Sequence, residues 1–113
     1  MVKIFTTSRY RVNRADIVPV AEAYLKKHDA DSEMGINIIL VGTRKMKAIT
    51  KSYKNEDEAL PVLAFPYHEE GLLGEIFLCY PQVILLAAER DKSVDETVVK
   101  LVLHGIDNLL RAG

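Results

Sequence analysis

The chain has 113 residues, 49% of them apolar and 27% charged, with a formal net charge of −1. That length suits one compact domain of roughly 100–150 residues, and the balance excludes a disordered chain, which needs fewer apolar residues and a larger net charge. No apolar run approaches the roughly 20 residues that cross a bilayer, no amino-terminal stretch resembles a signal peptide, and the single cysteine, Cys79, excludes an internal disulfide and a cysteine-rich zinc site.

Val2 to Thr6 alternates enough for a short strand. Ile17, Val20, Ala21, Tyr24 and Leu25 then recur at helical spacing. Asp16 is the expected N-cap, Pro19 falls in the first turn where its missing N–H is tolerated, and the helix ends near His28 as a structural C-terminal residue. Ile36 to Val41 is an almost unbroken apolar run between Gly35 and Gly42, the pattern of a strand buried on both faces. Thr43 is the expected cap of a second helix, in which Met46, Ile49 and Tyr53 share a face and Arg44, Lys45, Lys47, Lys51 and Lys54 occupy the rest. Such a basic surface either solubilises the helix or contacts RNA.

Val62 to Phe65 reads as a short strand stopped by Pro66, and Glu75 to Tyr80 returns after a turn framed by Gly71 and Gly74 to make a hairpin. Pro81 suits the first turn of a third helix, where Val83 to Ala88 is apolar all round and therefore expected to be largely buried. Ser93 and Glu96 are spaced as a capping box before a final helix from Val94 to Leu110, with Val98, Val102, Ile106 and Leu109 as its core stripe. The order β-α-β-α-β-β-α-α implies an α+β fold: a mixed sheet of about four strands packed against helices.

Charge is divided unevenly. Residues 1–54 hold eleven Lys and Arg against five Asp and Glu, and residues 55–113 hold four against eleven. A basic half that forms one surface attracts polyanions, although folding can interleave the halves. The chain is expected to be cytoplasmic, with Cys79 a buried thiol. Of the three histidines, His68 follows Phe65-Pro66-Tyr67 in a loop, and His104 lies mid-helix among apolar residues, where it reads as a hydrogen-bonded core histidine. An HExxH metal motif is absent, because Gly105 and Asn108 stand where it needs Glu and His. No nucleophilic triad, P-loop or GxGxxG spacing occurs.

Four blocks stand out together: Tyr53-Lys54-Asn55-Glu56-Asp57, Val62-Leu63-Ala64-Phe65-Pro66, Leu73-Gly74-Glu75-Ile76 and His104-Gly105-Ile106. In order and spacing they resemble the YbeY family, metal-dependent endoribonucleases of rRNA maturation and ribosome quality control. The resemblance runs from about Ile36 to the end, with a looser fit in the first strand and helix. It implies a YbeY/zincin-like version of the α+β fold, rRNA and the small ribosomal subunit as partners, no membrane, and a zinc ion held by three histidines.

Only the first ligand matches, as His104; Asn108 stands at the second position, and the third would be residue 114. Lys54 stands where the family has an Arg implicated in RNA cleavage, keeping the charge but losing the bidentate fork. Leu60 and Pro61 replace a Thr-Asp/Asn pair, and Ala64 replaces Ser. The resemblance also places Arg44, Lys45, Lys47 and Lys51 beside the cleft as RNA-backbone contacts. The expectation is a family member associated with rRNA processing and ribosome maturation, with an incomplete zinc site. A metal-free RNA- or ribosome-binding relative and an unrelated small α/β binding module remain as alternatives.

Overall fold

Residues 1–7, 9–28, 34–69 and 71–112 are described by a computed structural model, with the side chain of His68 outside the described set. The elements are β1 (Val2–Phe5), α1 (Arg14–Lys27), β2 (Gly35–Val41), α2 (Thr43–Lys54), β3 (Val62–Glu69), β4 (Leu72–Cys79), α3 (Tyr80–Glu89) and α4 (Val94–Ala112). The strands form one four-stranded mixed sheet in the order β1-β2-β4-β3. β1 and β4 run parallel to the central β2, and β3 is antiparallel to β4. The α+β architecture and the element order are those expected from the sequence.

Strand alternation sorts the core into two layers. Ile36, Ile38 and Leu40 of β2 and Ile76 and Leu78 of β4 pack with Ile17, Ala21 and Leu25 of α1 and Val98, Val102, Ile106 and Leu109 of α4. Each fully buried side chain of this size contributes roughly 1.5–3 kcal/mol, so this layer dominates stability. The intervening residues Val41 and Cys79, with Leu63 of β3, meet Met46 of α2 on the opposite face. Cys79 is the buried thiol expected of it.

α4 comes down directly on β4 because two glycines remove the side chains that would hold it off. A Cβ on Gly74 would lie 2.5 Å from both Leu109 Cδ2 and the Phe65 carbonyl oxygen. The start of α4 carries the expected capping box: the Glu96 N–H donates to Ser93 Oγ at 3.0 Å, and the Ser93 N–H donates to Glu96 Oε1 at 3.3 Å.

Several local expectations are corrected. α1 begins earlier than the Asp16 cap implied: Asn13 is at the N-cap, Asp16 is in the first turn, and Pro19 lies inside the helix. Gly42, not Thr43, occupies the N-cap of α2. Pro66 does not end β3, which continues to Glu69. β3 is an edge strand, where a residue lacking an N–H is tolerated. The backbone at His68 is therefore strand rather than loop. In β2 only alternate positions, Ile36, Ile38 and Leu40, plus Val41, are fully buried, because the second face carries a smaller layer, built on Met46 of α2 with Ala59 and Leu60 beside it. α3 is not enclosed: Val83 and Ala87 are buried, whereas Ile84 and Leu85 are 44% and 57% exposed. No helix among the described residues is long and apolar enough to cross a membrane.

Candidate nucleic-acid interface

α2 is amphipathic at the charge level. Met46 and Thr50 are its buried residues, and the Thr50 hydroxyl is satisfied by donating to the Met46 carbonyl at 2.9 Å. Arg44, Lys45, Lys47, Lys51 and Lys54 are all exposed, and α2 contains no acidic residue. Lys51 and Lys54 also lie in its last turn, where cations are favoured by the helix dipole. The helix stops at Asn55, whose φ of 57° is left-handed and whose N–H donates to the Lys51 carbonyl. Asn tolerates that conformation better than other non-glycine residues.

The second face of the sheet meets α2 through aromatic edges. Tyr53 packs on Phe65 with ring centroids 4.5 Å apart at 69°, and Phe65 packs on Phe77 at 5.5 Å and 90°. A groove of about 420 Å³ lies against this pair, lined by Lys45, Ala48, Ile49, Ser52, Tyr53 and Phe65. A second groove of about 470 Å³ is lined by Arg9, Tyr10, Ile39, Gly42 and, again, Lys45 among others. Toward the other end of the face, the Tyr67 hydroxyl donates to Glu75 Oε1 at 2.7 Å, and Asn37 Nδ2 donates to Glu75 Oε2 at 3.4 Å. The bond to the carboxylate raises the Tyr67 pKa above its ordinary value.

The histidine helix lies elsewhere. α4 packs on the first face and α2 on the second, so Lys54 and His104 belong to helices on opposite sides of the sheet. His104 is not a core residue: it shares an exposed i, i+4 stripe with Glu96, Lys100 and Asn108. The buried arc centres on Val98, Val102, Ile106 and Leu109, which turns His104 outward. Asp107 points to α1, where Tyr24 Oη donates to its Oδ1 at 2.6 Å. That bond raises the Tyr24 pKa.

A zinc ion needs three or four protein ligands of the His, Cys or carboxylate type. His104 and Asn108 bring one imidazole and one carboxamide, and among the described residues no group of three His, Cys, Asp or Glu side chains is placed to hold a metal. The described residues therefore do not fit the ion. The aromatic cluster escaped the reading of the sequence, although Leu63, Phe65 and Tyr67 on β3 and Glu75 and Phe77 on β4 alternate as residues of one sheet face must.

A family model described as endoribonuclease YbeY matches residues 5–110. The endoribonuclease YbeY of Thermus thermophilus is 34% identical over 84 residues, covering 69% of this chain and 60% of the relative. That of Thermotoga maritima is 32% identical over 88 residues, covering 78% and 57%. A solution structure of a Thermotoga maritima protein superposes with a TM-score of 0.67 at 26% identity, covering 94% of this chain and 69% of the other. The chain thus spans about 60% of the length of these curated relatives.

Proposed function

Because the chain belongs to the endoribonuclease YbeY family, we propose that it is an RNA-binding protein of rRNA processing and ribosome maturation, with rRNA and the small ribosomal subunit as its partners. In this reading, the described residues supply a surface that holds RNA and do not supply a complete zinc site. The observation that carries it is α2, on which five cations, Arg44, Lys45, Lys47, Lys51 and Lys54, project from one helix whose apolar side is fixed to the sheet. A fixed cationic helix neutralises backbone phosphates and gains free energy from the counterions it releases. The relatives' description as endoribonucleases supports RNA, rather than DNA or an acidic protein, as the polyanion.

The test is the affinity for a single-stranded oligoribonucleotide as a function of salt. Affinity should fall as salt rises, and converting Lys45, Lys47 and Lys51 to Glu should abolish binding at moderate salt. Each phosphate contact removed flattens the logarithmic salt dependence by about 0.7. Binding that ignores both salt and the charge reversals overturns the reading.

Zinc-dependent cleavage is the second reading, favoured by the imidazole of His104 at the first ligand position and the charge of Lys54 at the family's Arg position. It requires ribonuclease activity that depends on zinc and that His104→Ala and Lys54→Ala each abolish. RNA that is bound and left intact, with and without zinc, excludes it for this chain.

A further inference from the structure

Two open grooves on the α2 side of the sheet meet at a single cation, Lys45. One continues to the aromatic pair Tyr53 and Phe65, and the other to Arg9 and Ile39. Among the described residues neither is lined by a carboxylate, and the charged side chains that line them, Arg9 and Lys45, are positive. Tyr53 is 56% exposed, and its ring meets that of Phe65 edge-on. On the same sheet face Phe5 pairs with Ile39 across β1 and β2 and is 49% exposed.

An aromatic ring beside cations is the arrangement by which single-stranded nucleic acid is bound: bases stack on the ring while phosphates follow the charge, with little dependence on sequence. We infer that single-stranded RNA is held along this flank of α2, with a nucleobase stacked on Tyr53 and neighbouring phosphates on Lys45 and Arg9. The inference rests on the RNA-binding reading above and assigns its surface. The larger groove between α1 and α4, about 860 Å³, is lined by three carboxylates, Asp16, Asp95 and Glu96, against one cation, Lys100, a balance that opposes a polyanion.

Two probes of equal length separate stacking from charge: a labelled oligouridylate, and the matching ribose-phosphate oligomer without bases. Tyr53→Ala should weaken oligouridylate binding about five- to hundredfold, the range of one lost base–aromatic stack, while leaving the abasic oligomer unchanged. Tyr53→Phe should restore it, and Lys45→Glu should weaken both probes. Leu85→Ala, exposed on α3, should change neither.

Tyrosine emission provides a readout that does not depend on the stability of Tyr53→Ala. Oligouridylate should quench it in the wild-type chain, the abasic oligomer should not, and the quench should shrink in Tyr53→Phe. Equal binding of the two probes, or oligouridylate binding undiminished in Tyr53→Ala, overturns the assignment of this surface and leaves the RNA-binding reading standing. Failure of the wild-type chain to bind either probe overturns both. A dimer that Tyr53→Ala dissolves overturns the assignment by showing that a second copy covers the face.

Discussion

Gly105 lies so close to Ile76 that a Cβ there would come within 2.9 Å of Ile76 Cδ1 and 3.1 Å of both Cγ1 and Cγ2. The missing side chain lets α4 rest directly on β4 and fixes the rotation that turns the preceding residue, His104, to the surface. Gly105→Ala is expected to destabilise by a net ~1 kcal/mol, because overpacking of about 1–3 kcal/mol is partly offset by the better helix propensity of Ala. Gly74→Ala should cost more, since its Cβ meets the Phe65 carbonyl oxygen of a paired strand as well as Leu109. Urea denaturation of the two variants should rank them in that order, and Ile76→Val should recover part of the Gly105→Ala loss only.

The capping box makes the start of α4 sensitive to acid. Hydrogen bonds from the Ser93 backbone and side chain lower the Glu96 pKa. A carboxyl group with a depressed folded pKa stabilises the fold above its unfolded value and loses that contribution as pH falls through the folded one. Thermal melts should therefore show an acid-side decline that is smaller in Glu96→Gln. Ser93→Ala should lower stability by about 1 kcal/mol near neutral pH, the usual cost of a lost cap.

Tyr24 and Asp107 give the opposite sign at alkaline pH. The hydrogen bond to Asp107 is the main cause of the raised Tyr24 pKa, because only the neutral phenol can donate it, and the repulsion between phenolate and carboxylate adds to the shift. The contribution is complete below the unfolded tyrosine value near 10 and disappears as pH rises through the higher folded value. Tyrosinate absorbance should show two late-titrating groups, Tyr24 and Tyr67, of which one moves down in Asp107→Asn and is absent in Tyr24→Phe. A titration unchanged by Asp107→Asn would mean that the bond does not persist in solution.

The donor set on α4 predicts that this chain, loaded with zinc and dialysed, retains far less than one ion per molecule. Asn108→His places a second imidazole one turn from His104 and should raise zinc affinity measurably in a competition titration with a chromogenic chelator. Retention near one ion per unmodified chain would show that ligands other than His104 complete a site.

Much of the fold was legible because it depends on neighbours in sequence. The alternation in β1, the glycines bounding Ile36 to Val41, the hairpin around Gly71, Pro81 at the start of α3 and the Ser93–Glu96 box each act over a few residues, and each marks an element that forms. The family blocks were legible for a related reason, since residues such as Gly74 and Gly105 are demanded by contacts that tolerate little else. Local signals failed where another element decided. Pro66 would stop a central strand but lies on an edge, and Ile84 and Leu85 are apolar on a side of α3 that none of the described residues encloses.

The sequence by itself determined the order of elements, the cationic character of α2 and the donor types at positions 104 and 108. The core stripe of α4, Val98, Val102, Ile106 and Leu109, was readable from its spacing. Only the tertiary structure decided that the flanking Val99, Leu101, Leu103 and Leu110 stay half-buried and that His104 faces outward, because that depends on how α4 meets Gly74, Ile76 and Gly105. The same holds for Tyr53 and Phe65, which are distant in sequence until α2 packs on the second face of the sheet. A side chain's chemistry is local, whereas its exposure and its neighbours depend on contacts between elements that no single segment encodes.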